Sequence, residues 1–378
     1  MNQKTVCRVC RNNLMPEALF ILRNAPAQAQ NFPDENSLSS DKGIDIKVGQ
    51  CEACGLVQLF NEPVSYHREV IRAIAVSGDM KLFREKQFAD FLVKFSLLGK
   101  NILEVGSGKG EFLSLMNQAG GRAFGIEGSA DSVAYGVSQK LSMQHLYLET
   151  GEEIIPEGPF DGFFIMSYLE HMPKPMNVLK GLSKNLKEGA VGIVEVPNFD
   201  MMVKENQFSE FTTDHLYYFS EKTLRTTLES GGFEVLEVKP VWHDYILSAV
   251  VKKRKKLSLD QMNDSATRLI TAIDEHLSGN SGKRFAVWGA GHQSLTILSM
   301  LNNIKAISCV IDSAPFKQDK YTPASHVKIV GPEKIYEFGI TDIVVVAGSY
   351  SSEVCRIVRE KHPQIRLSVV KNTEFEIL

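Results

Sequence analysis

The chain has 378 residues, 43% hydrophobic and 23% charged, ordinary proportions for a globular protein long enough for two or three domains. Its formal net charge of -3 gives no electrostatic basis for partnership with nucleic acid or an acidic membrane. No apolar run approaches the roughly 18–20 residues of a bilayer span, and MNQKTVCRVC lacks the plan of a secretion signal, so a cytoplasmic protein is expected, with no membrane partner.

The first block, residues 1–78, holds two close cysteine pairs, Cys7/Cys10 and Cys51/Cys54, separated by a polar, loop-like insert. Paired Cys-x-x-Cys knuckles without a secretion signal favour metal over disulfides. Four thiolates would fill a tetrahedral site, so the expected ion is a structural zinc with no open position for catalysis. The long intervening segment adds only weakly to the entropy of closure. Four reduced cysteines without metal are the plainer alternative. Cys309 and Cys355 stand in apolar surroundings and read as small buried hydrophobes.

Residues 79–255 alternate helices with short apolar strands. A helix over 81–98 precedes strand NILEV, helix 109–119, strand RAFGIEG, helix 131–139 and strand HLYLE. Strand GFFIMSY, helix 175–187 and strand VGIVEV follow. This rhythm predicts a parallel sheet covered on both faces. After helix 221–230, FEVLEV and YILSAVV lie close enough in sequence for an antiparallel edge, which suits an S-adenosylmethionine (SAM) methyltransferase fold better than a plain dinucleotide fold.

Strand 101–105 runs into Gly106, Ser107, Gly108, Lys109 and Gly110, then a helix, an arrangement that lets backbone approach a ligand closely. Glu127, ending the next strand before Gly128, can accept both ribose hydroxyls of a nucleoside. That would suit NAD as well. The loop decides, because EVGSGKG resembles the E/D-x-G-x-G-x-G loop of SAM enzymes. Glu104 is expected to orient the loop, and Glu149–Gly151 is either an adenine contact or an ordinary polar loop. SAM is the expected cofactor.

The run Lys252–Lys256 reads as a solvated linker or, alternatively, a contact for a substrate phosphate. Residues 256–378 then form a second α/β unit, with helix 259–278 and strands FAVWGAG, AISCVID, DIVVVAG and RLSVV. Its turn Gly289-Ala290-Gly291 has Ser294 in place of the third fingerprint glycine, which weakens a second-cofactor reading.

Taken together, the cysteine knuckle with CGLVQLF, EVGSGKGEFL, YLEHMPKP, DHLYYFS and VIDSAPFKQDKYTP resembles the sugar C-methyltransferases of deoxysugar biosynthesis over nearly the whole chain. The resemblance implies an α/β protein in three parts: a zinc-binding domain at 1–78, a class I SAM methyltransferase domain at 79–255 and a Rossmann-like domain at 256–378. It implies a nucleotide-linked keto-sugar as substrate, deprotonated beside its carbonyl to an enolate that takes the SAM methyl. His215 falls on the family's base, Asp214 on the acidic residue that orients it, and His171 on the second active-site histidine. Tyr66 is the nearest match to an aromatic that covers the cofactor, and His292 falls where the last domain borders the substrate cleft. One position departs: Thr212 stands where the family carries an enolate-stabilising tyrosine, with Tyr217 and Tyr218 nearby. O- or N-methylation of a sugar-like metabolite, which needs no such phenol, therefore stays open beside C-methylation. A fold that binds SAM without chemistry and a zinc-containing nucleic-acid binder are further alternatives. A monomer or small homo-oligomer is expected.

Overall fold

The cysteine segment builds a sheet of its own: β1 (Phe20–Ala25), β2 (Ile44–Gln50) and β3 (Val57–Leu59) pair antiparallel in that order. The alternating run follows as α1 (Gly78–Lys94), β4 (Asn101–Val105), α2 (Glu111–Gln118), β5 (Arg122–Glu127), α3 (Ala130–Ser138), β6 (Met143–His145) and β7 (Phe160–Met166). Next come α4 (Pro175–Lys184), β8 (Leu186–Pro197), α5 (Phe199–Lys204), β9 (Tyr217–Tyr218), α6 (Glu221–Ser230), β10 (Phe233–Val241) and β11 (Ile246–Lys253). The computed structural model describes residues 6–30, 32–69, 77–280 and 282–378. The stretch 70–76, through which the sequence links its first two blocks, lies outside them.

The larger sheet has the order β10-β11-β8-β7-β4-β5-β6. β4, β5, β6, β7 and β8 are parallel, and β11 runs antiparallel between β8 and β10. That reversed strand beside the edge is the class I methyltransferase arrangement that the two close apolar strands predict. The third expected strand is displaced, however. It occupies Met143–His145, and the HLYLE segment leaves the edge after His145.

α1 and α2 cover one face with Phe88, Phe91, Leu92, Phe112 and Leu113. On that face Arg84 of α1 and Glu195 of β8 form an ion pair at 2.5 Å, their side chains only 2% and 0% exposed. Gln87 also donates to Glu195, at 2.6 Å. Among the described residues Arg84 Nε has no hydrogen-bond partner, so the buried pair is better read as fixing the register of helix on sheet than as adding stability.

The opposite face shares one core with the cysteine segment. Cys7, Val9, Cys51 and Leu56 pack in the same apolar cluster as Val105, Phe163, Leu179 and Phe233. The link is also a hydrogen-bonded one, since β9 returns to the first sheet and pairs antiparallel with β3. Met1–Lys255 accordingly forms a single compact unit. At its end the basic run is largely structural. Lys252 and Lys253 belong to β11, Lys253 donates to the Leu186 carbonyl at 2.8 Å, and Arg254 donates to the carbonyls of Glu229 and Phe233.

Lys256–Leu378 forms the second unit. It contains α7 (Asp260–Ser278), β12 (Phe285–Trp288), α8 (His292–Met300), β13 (Ile307–Ile311), β14 (Ile329–Val330), β15 (Asp342–Val345), α9 (Ser351–Lys361), β16 (Arg366–Lys371) and β17 (Glu374–Ile377). The order β14-β13-β12-β15-β16-β17 is parallel except for β17, a Rossmann-like layout with an antiparallel edge. Asp312, following β13, accepts from the Ala290 N–H of the Gly289–Gly291 turn at 2.8 Å and from Lys317 at 2.9 Å. His292 and Gln293 line, with Met262, Ile297, Ser349 and Asn372, a cavity of about 870 Å³ within this unit. No helix among the described residues is long and apolar enough to cross a membrane.

Candidate active site

The glycine loop joins β4 to α2 at the carboxyl end of the parallel strands, where ligands of open α/β sheets bind. Gly106 has φ +74°, and a Cβ there would lie 2.2 Å from the Tyr168 ring, so glycine is required on both grounds. The loop's amides are spent on its own support. Gly106 and Ser107 donate to the Ile126 carbonyl, Gly110 donates to the Ser107 carbonyl, and Gly108 donates to Glu127 at 2.8 Å. Such a loop offers few free amides to a pyrophosphate and suits a cofactor held by its sugar and amino-acid ends.

Glu127 is 3% exposed. Its two oxygens accept from the Gly108 and Ser129 amides at 2.8 and 2.9 Å, which leaves lone pairs for two hydroxyl donors. Burial pushes its carboxyl above the usual range, against those two hydrogen bonds. Glu104 on β4 and Ser107, which packs against Gly125 of β5, are both fully buried. Replacing Glu127 with Ala is expected to weaken SAM binding by about 1.5–3 kcal/mol, roughly ten- to a hundredfold in Kd. Calorimetric titration with SAM checks this, and an unchanged Kd places the ribose elsewhere.

The segment preceding α1 crosses this loop. A Cβ on Gly128 would meet the Arg68 carbonyl oxygen at 2.2 Å, so the turn after β5 passes directly beneath Arg68. The Arg68 guanidinium pairs with Glu149 and lies over the Tyr147 ring. Lys174 approaches Glu149 from the other side at 3.6 Å. The resemblance assigns Tyr66 to cofactor cover. In the structure its hydroxyl donates to Asp214 at 2.5 Å, and Arg68 is the residue that presses on the cofactor turn.

Two segments bring the predicted catalytic residues together. The 3₁₀ turn Leu169–His171 follows β7, and residues 212–216 lead into β9. Leu216 donates to the Glu170 carbonyl at 2.8 Å, His171 Nδ1 lies 2.9 Å from the Asp214 carbonyl oxygen, and the Tyr217 hydroxyl donates to the Met172 carbonyl at 2.8 Å. The His171 and His215 rings meet edge to face with centroids 4.7 Å apart. Tyr168, which touches Gly106, lies 6.5 Å from His171, so one ring separates the histidines from the glycine loop. Burial holds both imidazoles neutral, bringing His171 down to about 4 and His215 well below its ordinary value, with His171 adding to the latter effect. A neutral imidazole has the free lone pair that a base requires.

Asp214 does not turn its carboxylate toward His215. Oδ1 takes the Tyr66 proton, and Oδ2 takes a long hydrogen bond from Gln30 at 3.4 Å. The Tyr66 oxygen in turn accepts the Ala29 N–H at 3.0 Å. Of the tyrosines near Thr212, neither is available as a substitute phenol. Tyr217 is committed to Met172, and the Tyr218 hydroxyl is held by the backbone N–H and carbonyl of Thr212. The phenol that reaches the acid–base cluster is Tyr66, whose contact joins positions 148 apart and leaves no local signal. Glu170, 1% exposed and pushed up to about 8 by burial, is a second member missed from sequence. The donor atoms of Glu170, His171 and His215 gather within 4.8 Å.

In the cysteine segment, Cys7 and Cys54 Sγ lie 3.7 Å apart, and Cys10 and Cys51 Sγ lie 3.4 Å apart. These are close to the edge of about 3.8 Å of a tetrahedron with metal–sulfur bonds of about 2.3 Å. Asn12 donates to Cys10, and the hydrogen bonds it receives hold that thiol down at about 6 even though burial acts to raise it.

The family model of a methyltransferase domain matches residues 80–238, and that of a C-methyltransferase C-terminal domain matches residues 258–364. The C-methyltransferase NovU of Streptomyces niveus is 24% identical over 387 residues, covering 92% of this chain and 90% of NovU. Among solved structures, a SAM dependent methyltransferase from Aquifex aeolicus is 19% identical, with a TM-score of 0.39 over 47% of this chain and 94% of that one. PH0226 from Pyrococcus horikoshii OT3 is 13% identical, with a TM-score of 0.41 over 51% and 100%. Strand order and domain match define a SAM-dependent methyltransferase, an enzyme. With a C-methyltransferase C-terminal domain matched after it and a C-methyltransferase relative aligned over nearly the full length, the chain is similar throughout to C-methyltransferases.

Proposed function

We propose that the enzyme methylates carbon in a nucleotide-linked keto-sugar, with His215 as the base. The observation that carries this reading is the pair of neutral, edge-to-face imidazoles one ring away from the glycine loop. SAM bound on that loop supplies an electrophilic methyl. Glu127 would accept the ribose hydroxyls, Gly106 to Gly110 would let the donor lie close, and Tyr168 and Arg68 would close over it. His215 takes the proton from the carbon beside the substrate carbonyl, and His171 fixes the ring that does so. Tyr66 stands beside Asp214, but its hydroxyl proton is already donated to that carboxylate, so it does not take over the task the family gives to a tyrosine where this chain has Thr212.

A structural zinc on Cys7, Cys10, Cys51 and Cys54 belongs to the same reading. The four sulfur atoms lie within 4.8 Å of one another, so the donor set and its spacing fit the ion.

A screen of nucleotide-linked keto-sugars for S-adenosylhomocysteine release, followed by NMR of product made with ¹³C-methyl SAM, tests the function. The expected product carries its new methyl on the carbon next to the carbonyl. A label on oxygen or nitrogen rejects C-methylation.

A further inference from the structure

Glu170 has no part in the mechanism above, yet it is the most constrained acid in the site. It sits between Leu169 and His171 on the 3₁₀ turn, and its backbone carbonyl is held by Leu216. Among the described residues, neither of its carboxylate oxygens has a hydrogen-bond partner. An ionised carboxylate so placed is strongly unfavourable, whereas a neutral acid carries one proton and needs one acceptor.

An acceptor lies at hand. The Asp214 carbonyl oxygen beside His171 Nδ1 can only accept, so Nδ1 carries the hydrogen and Nε2 presents its lone pair. That Nε2 is 4.0 Å from Glu170 Oε1, so a rotation of the glutamate side chain would have to bring the two within hydrogen-bond distance. We propose that Glu170 is a positioning residue: as a neutral acid it donates its proton to Nε2 of His171, so that both nitrogens of this ring are held and the ring becomes a fixed support for His215.

The surroundings agree. Burial pushes Glu170 up to about 8 and His171 down to about 4, so it favours the neutral form of both groups. The other titratable groups around the Glu170–His171 pair are Asp214 and His215 on the adjoining segment, Tyr168 just before the turn, and Tyr245 just before β11. A carboxylic acid kept neutral so that it can donate is a known device of active sites that handle enolates. Here the donation passes through a histidine.

The inference rests on His215 as the base, and it fixes a pH dependence. The neutral form exists below about pH 8 and is lost as pH rises through that value. Above it the donor disappears and a negative charge appears beside His171, so kcat should fall on the alkaline side while KM for SAM stays level. Glu170→Gln keeps a donor N–H but does not titrate, and it should retain kcat at pH 7 and lose the alkaline limb. Glu170→Ala should lose about tenfold in kcat at all pH values, the effect of one buried hydrogen bond.

The deciding measurement needs no acceptor. In ¹⁵N-histidine NMR of the wild-type protein with SAM, Nδ1 of His171 should carry the proton, and Nε2 should shift through a transition near pH 8 that is absent from Glu170→Gln. A persisting alkaline limb in Glu170→Gln, or a His171 signal with no transition near pH 8, overturns the proposal. If no keto-sugar turns over, the functional reading fails separately, and the NMR titration still decides Glu170.

Discussion

Replacing His215 with Asn is expected to lower turnover by about 10²–10⁴-fold, the usual contribution of a positioned general base, while SAM affinity stays within about twofold of wild type by the same separation of roles. The separation has a structural basis. The loop, Glu127 and Arg68 proposed to face the cofactor lie after β4, at the end of β5 and on the segment before α1, whereas His215 precedes β9 and touches His171. Asparagine keeps polarity in a half-buried position without a titrating lone pair. S-adenosylhomocysteine release measures the first quantity and calorimetry the second. Turnover that survives the change removes His215 from the mechanism, and lost SAM affinity would mean that the site had collapsed.

Replacing Cys51 with Ser is expected to abolish tight zinc binding and to lower the melting temperature of the first unit by about 10 °C or more, since structural zinc is worth roughly 10–16 kcal/mol in isolated small domains and part of that should be lost here. Cys51 is buried within the cluster that also packs the parallel sheet, so damage at the knuckle does not stay there. Metal analysis should give one zinc per wild-type chain and close to none in the variant. Acid should release the ion from the wild type, because protons compete for its thiolates as pH falls. A fully stable, metal-free Cys51→Ser protein would show four reduced cysteines with no structural ion.

Much of the central sheet was legible from periodicity, and NILEV became β4 without adjustment. Where the reading slipped, tertiary contact outweighed local pattern. HLYLE alternates like a strand, but Leu148 is drawn into the core and the Glu149–Gly151 turn is tied down by Glu153, so pairing stops at His145. Helix 175–187 ends at Lys184 because Asn185 caps it and Leu186 begins β8. The two residues of β9 carry no signal, since their partner lies about 160 positions earlier in the chain. The histidines were readable as motif letters. Their geometry was not: the Asp214 carboxylate faces Tyr66 and Gln30, and Glu170 enters the cluster only through burial.

The pairing of β3 with β9 has a bearing on how this enzyme can be rebuilt or can diverge. A cut at residue 78 looks natural in the linear sequence, but it strips the strand that follows His215 of its neighbour. Recombination between relatives should therefore succeed when the knuckle and the DHLYYFS segment come from the same parent, and fail when they come from different ones. Both strands lie within the compact unit Met1–Lys255, and mutations on either are expected to be tolerated in matched sets.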